Sequence, residues 1–152
     1  MEIRRYSASD KLDTLCEAIN NASWDDANAM SRYDSSALRS YLMRDSNLFL
    51  ACHDTSGGKD QLLGIASGAI LLKPYGNEKW LYVDEVDVCA DQRQRGVGKA
   101  MMQSLLEIAE NEGCEELWLG TEEDNVPALA LYRSLKPDSE EAVRGFTYET
   151  DE

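Results

Sequence analysis

The chain has 152 residues, four cysteines and a formal net charge of −14 at pH 7. That length suits one domain with a two-layer core, and no apolar stretch approaches membrane-spanning length. So acidic a chain repels the phosphates of nucleic acid and anionic membrane, and it raises the local concentration of a cationic substrate. Cys16, Cys52, Cys89 and Cys114 show no Cys-x-x-Cys spacing. That argues against metal and redox chemistry and for buried reduced thiols in a cytoplasmic protein.

Residues 1–6 lack a signal-peptide core and read as an opening strand. Ser9 or Asp10 is placed to cap a first helix with the apolar face Leu12, Leu15, Cys16 and Ile19. Residues 20–34 are polar, with Trp24, Met30 and Tyr33 interspersed, and read as a loop. A second helix starts near Ser35 and runs through Leu38, Tyr41 and Leu42. The second strand covers 48–52 and ends near His53, and a hairpin-type loop fills 56–60. A third strand spans 61–72, a turn 74–79 and a fourth strand 80–88, which alternates only in part.

The pattern Met101, Leu105, Ile108, Ala109 marks one helical face, with Gly113 as its stop. A short fifth strand follows at 117–121. Pro127 opens a last helix through Ala130, Leu131 and Leu135, with Asn125 just ahead of it. Residues 143–148 read as a final strand. The order β-α-α-β-β-β-α-β-α-β predicts a single α/β domain over 1–152, with a mixed, mostly antiparallel sheet flanked by helices.

Between the fourth strand and its helix stands Arg93-Gln94-Arg95-Gly96-Val97-Gly98. Strand, glycine loop and helix together expose backbone N–H groups and a helix N-terminus to a pyrophosphate. A P-loop is excluded, because Arg93 stands where its first glycine belongs and Ala100 replaces its hydroxyl residue. A Rossmann fingerprint is excluded by Met101 at the third glycine. The remaining pattern, Arg-x-x-Gly-x-Gly after an apolar strand, resembles the acetyl-coenzyme A loop of the GNAT superfamily of N-acetyltransferases. The resemblance covers nearly the whole chain.

It implies the GNAT fold and acetyl-coenzyme A as cosubstrate, with no metal. The coenzyme would lie on Val86, Val88, Arg93, Gln94, Arg95, Gly96, Val97, Gly98 and Lys99, and against Asn125 and Ala128. Acyl transfer to an amine needs a base for the amine and a stabilised leaving thiolate. Glu85, on the strand entering the loop, is the first candidate base, with Asp84 and Asp87 as competitors. Tyr132, in the pattern Asn125…Ala128-Leu129-Ala130-Leu131-Tyr132, is the acid that the resemblance places near the coenzyme sulfur.

Residues 80–88, 93–98 and 122–132 together resemble the aminoglycoside 3-N-acetyltransferases of this fold. In that branch acids stand where Glu85 and Glu122 stand here, and their carboxylates would pair with the ammonium groups of a polycation. Trp24, Asp25 and Asp26 would add a wall from the first loop. The expected partner is thus a cationic small-molecule amine, in a protein that the resemblance allows to be a homodimer. A polyamine or protein amine is the rival acceptor, and a non-catalytic coenzyme A-binding domain is the rival from another class. Two features depart from the family: Lys136-Pro137 replace a glycine after the tyrosine helix, and residues 138–142 are lengthened. His53, the only histidine, is expected to be structural.

Overall fold

The computed structural model describes residues 1–25 and 30–151, in two units, Met1–Leu119 and Gly120–Glu152. In the first unit, strands β1 (Glu2–Tyr6), β2 (Asn47–Asp54), β3 (Gln61–Leu72), β4 (Lys79–Val88) and β5 (Glu116–Trp118) lie side by side in that order. The first four pair antiparallel, and β5 joins β4 in parallel. This is the mixed, mostly antiparallel α/β sheet that the element order predicts.

Side-chain alternation assigns the two faces. Phe49, Ala51 and Ile65 meet Leu12, Leu15, Cys16 and Ile19 of helix α1 (Leu12–Asn21), and Leu38 and Leu42 of helix α2 (Ser35–Leu42). The alternate residues face helix α3 (Val97–Asn111), where Met101 and Leu105 are fully buried. Gly64 marks a close approach to α3 on that side. A β-carbon there would lie 2.7 Å from the Asp87 carbonyl oxygen and 2.9 Å from Met101 Cε. Gly64→Ala should therefore cost about 1–3 kcal/mol through overpacking, read as a lower urea midpoint at unchanged slope.

Three expectations are corrected. Neither Ser9 nor Asp10 caps α1: the Asp10 carboxylate accepts from the Ser7 N–H at 2.7 Å, and Lys11 precedes the helix without a side-chain cap. The fifth strand is Glu116–Trp118 rather than 117–121. Its pairing with β4 ends at Tyr82, just before an irregularity in β4 that breaks the ladder. Residues 143–148 form no strand, and Val143, Phe146 and Tyr148 are all exposed. A strand needs a hydrogen-bonded neighbour, and helix α4 (Val126–Ser134) is the regular element among the described residues of that unit.

Within the second unit, Asn125 caps α4 by accepting from the Ala128 N–H at 3.2 Å, and Pro127 sits in the first turn. Arg133 pairs with Glu140 through two hydrogen bonds of 2.9 and 2.7 Å. Lys136 takes a left-handed conformation at φ 55° after the helix end. The backbone keeps the turn that glycine favours and carries a side chain through it, at a cost of roughly 1–2 kcal/mol.

Candidate active site

Hydrophobic alternation changes phase along β4. Leu81 and Val83 are buried at odd numbers, whereas the later valines, Val86 and Val88, fall at even ones. The register gives the reason: Ser67 pairs with Glu85 and Gly68 with Val83, so Asp84 is one residue extra. Ser67, Ala69 and Leu71 alternate on one face of β3, and their partners Glu85, Tyr82 and Trp80 share that face. Without the bulge, Glu85 and Asp87 would project towards α3. With it they emerge on the α1–α2 side, in the rows of Phe49–Ser67 and Ala51–Ile65. Gly68 permits the distortion, since a β-carbon there would lie 2.6 Å from the Tyr82 carbonyl oxygen. Tyr41 Oη pins the same place by donating to the Gly68 carbonyl at 2.8 Å.

The bulge thus creates a carboxylate pair. Asp87 is half-buried, and its carboxyl is pushed up to about 7, first by burial and then by the charge of Glu85 and a hydrogen bond with it. A hydrogen bond between two carboxyl groups needs a proton on one of them, and Asp87 is the group whose hold on its proton is strengthened. Tyr33 stands near them: its phenol is raised first by burial, then by the charges of Glu85 and Asp87. Glu85, the first candidate base from sequence, is exposed, as is Asp84 on the bulge. Asp87 is the member whose environment suits a base at neutral pH.

Beyond β4, Gln94 (φ 63°) and Gly96 (φ 80°) take left-handed conformations around Arg95. Gly96 precedes α3 and offers no side-chain cap, and the first turn of α3 holds no acid. The Ala100 N–H bonds to the Gly96 carbonyl at 2.9 Å. The amides of Val97, Gly98 and Lys99 therefore head the helix without intrahelical partners. Positive dipole, leading amides and adjacent arginines are the donor set that an anionic phosphate requires. These residues fit a pyrophosphate. Among the described residues no cluster suits a metal ion.

The other predicted site residues fall as follows. Arg93 pairs with Asp25 at 2.5 Å. Arg95 donates to Gln92 Oε1 and pairs with Asp54 at 3.1 Å. Asp54 was missed by sequence reasoning. Its carboxyl is held low chiefly by hydrogen bonds from Ser56, then by Arg95. Trp24 packs on the α1 core and donates to the Ile19 carbonyl at 2.9 Å. Asp25 thus reaches the glycine loop, and Asp26 lies outside the described residues. His53 is buried between Tyr6 Oη and Asp60 Oδ1, each at 2.8 Å, consistent with a structural role. In the second unit Glu122 is exposed, its carbonyl accepting from the Asn125 N–H at 3.1 Å. Tyr132 is half-buried on α4.

Comparison with known proteins gives this geometry a context. The model of the acetyltransferase (GNAT) family matches residues 15–136. N-acetyltransferase family 8 member 3 of Rattus norvegicus is 31% identical over 85 residues, covering 56% of this chain and 37% of that protein. Mycothiol acetyltransferase of Clavibacter michiganensis subsp. michiganensis is 40% identical over 70 residues, 46% of this chain and 22% of that protein. The chain thus spans less than half the length of these relatives. Among solved structures, an aminoglycoside acetyltransferase from an uncultured soil metagenomic sample, in complex with trehalose, superposes with a TM-score of 0.82. It is 22% identical and covers 99% of this chain and 96% of its own. A second structure of that protein, with sisomicin, gives a TM-score of 0.80 at 21% identity. At that identity the likeness speaks for the fold. The strand–loop–helix site lies inside the matched residues, and the chain belongs to the acetyltransferase (GNAT) family.

Proposed function

We propose that this chain transfers an acetyl group to the 3-amino position of an aminoglycoside, directly within a ternary complex. Acetyl-coenzyme A, the cosubstrate of the family, supplies an activated thioester. The leading amides of α3, Gln94 and the guanidinium groups of Arg93 and Arg95 hold its pyrophosphate, with Val86 and Val88 along the remainder; Asn125 and Ala128 are assigned to the coenzyme by resemblance. Asp87, tuned by Glu85, takes the proton from the acceptor's ammonium and leaves the amine free to attack. Tyr132, assigned by resemblance, donates a proton to the departing thiolate. Glu122 is the further carboxylate for the polycation. The protein works in the cytoplasm as one acetyltransferase domain, with its thiols reduced.

The observation that carries this reading is the Asp87–Glu85 pair on the α1–α2 face of β4. It combines a base at neutral pH with an anionic site for ammonium. The resemblance of 80–88 and 122–132 and the fold shared with an aminoglycoside acetyltransferase crystallised with sisomicin support the acceptor. A relative of Escherichia coli named as a ribosomal-protein-alanine N-acetyltransferase favours a second reading, in which the acceptor is a protein amine; a polyamine is the further rival.

An acceptor panel followed by thiol release separates these. Aminoglycosides with a free 3-amino group should turn over. Their KM should rise several-fold between low and high salt, because the attraction of exposed carboxylates for a polycation decays over about 10 Å at 0.1 M and over shorter distances as salt is added. A singly charged amine should show much less of that response. Turnover of polyamines or peptides alone would leave the acetyltransferase and remove the aminoglycoside.

A further inference from the structure

The face that carries Glu85 and Asp87 also carries an aromatic row. Trp80 and Tyr82 stack with ring centroids 5.8 Å apart and planes 28° apart. Trp118, paired with Tyr82 across β4 and β5, lies 6.2 Å from it. Lys73, two residues beyond Leu71 on the same side, sets Nζ 4.1 Å from the Trp80 ring centre and 4.9 Å from that of Tyr82. It also donates to Tyr82 Oη. The Trp80 indole N–H is enclosed yet has no hydrogen-bond partner among the described residues. Trp118 remains 39% exposed.

Sheet cohesion accounts for the contact of Tyr82 with Trp118 on the neighbouring strand. It does not account for an ammonium held over the rings, nor for an enclosed donor left without an acceptor. Rings of this kind attract a cation through their negative faces, and sugar rings stack on them through apolar C–H surfaces. Tyr82 and Glu85 pair with Ala69 and Ser67, which are two residues apart on β3, about 7 Å at the usual rise. Two linked amino-sugar rings span such a distance. A second copy of this chain, at net charge −14, would bring a predominantly acidic surface to the same face.

We propose that the Trp80–Tyr82–Trp118 face is the second docking point of the acceptor, where an amino-sugar ring stacks and its ammonium replaces that of Lys73. The inference rests on the aminoglycoside reading above. A hydroxyl of the entering ring satisfies the Trp80 N–H as Lys73 leaves. Lys73 is then an intramolecular competitor, and Trp118 a specificity residue that selects a ring-bearing polycation over a flexible polyamine.

Titration calorimetry with kanamycin A tests this in wild type, Lys73→Met, Trp118→Ala and Trp118→Phe. Removing the competing ammonium should tighten kanamycin binding roughly three- to thirty-fold, and Trp118→Ala should weaken it by a similar factor. Trp118→Phe should restore most of the loss. The acetyl-coenzyme A Kd, measured on the same proteins, reports that each remains folded. Wild-type affinity in all three variants, with kanamycin still bound and acetylated, would overturn the platform and leave the function standing. No kanamycin binding by wild type would remove both. A dimer that Trp118→Ala dissociates in sedimentation, without change in kanamycin affinity, would make a second copy the occupant and overturn the proposal.

Discussion

Asp87→Asn should lower turnover roughly a hundredfold or more, the usual scale for a general base, and should erase the acid limb of the pH profile. In the unmodified protein, kcat/KM should rise about tenfold per pH unit below about 7 and level off above it, because the base must first lose its proton. Glu85→Gln should act differently. It removes the neighbouring charge that helps to raise Asp87, so the limb should persist but move to lower pH. An unchanged limb in Asp87→Asn would put the base elsewhere. A limb lost in Glu85→Gln instead would exchange the two roles.

Stability offers a reading of Asp87 that does not depend on activity. Its folded-state value, about 7, lies above the ordinary carboxylate value of 3.8. Between those values the native state binds more protons than the unfolded chain, so stability falls as pH rises from about 4 to about 7. Asp87→Asn has no such proton to lose. It should melt higher than wild type above pH 7 and match it near pH 4, a difference that thermal scans at the two pH values would show. A base kept at the cost of stability is what a functional carboxylate predicts.

The second large effect concerns the glycine loop. Gly98 is buried in the first turn of α3, and its amide is one of the three that head the helix. A bulky side chain there blocks close backbone approach by a phosphate. Gly98→Val should therefore weaken acetyl-coenzyme A binding at least roughly tenfold, the value of one charge-assisted hydrogen bond. Circular dichroism and a melting curve establish that the variant folds. Unchanged coenzyme affinity in a folded Gly98→Val protein would overturn the placement of the pyrophosphate.

The fold was legible because its signals are local and periodic. The faces of α1 and α3, the strand runs of β2 to β4 and the Asn125–Pro127 helix start each depend on residues within one element. The errors fell where a neighbour decides. Asp10 looks like a cap until Ser7 claims its carboxylate. The run 143–148 carries the strand-forming residues Val143, Phe146 and Tyr148, yet composition supplies no pairing partner. Lys136 occupies a left-handed turn that its residue type does not announce.

The site divides in the same way. The sequence by itself pointed to the glycine loop, because Arg93, Gly96 and Gly98 stand together at a strand-to-helix junction and their signal is local. It also narrowed the base to three acids on one strand. Which of the three is tuned was decided by tertiary structure alone: the extra residue at Asp84 turns Glu85 and Asp87 to one face, and burial with mutual repulsion raises Asp87. The phase change from Leu81 and Val83 to Val86 and Val88 carries that bulge in the sequence. The meeting of Lys73 with Trp80 and Tyr82, and of Asp54 with Arg95, has no such trace. Both join residues from different elements, and only the register of the paired strands and the packing of loops bring them within reach.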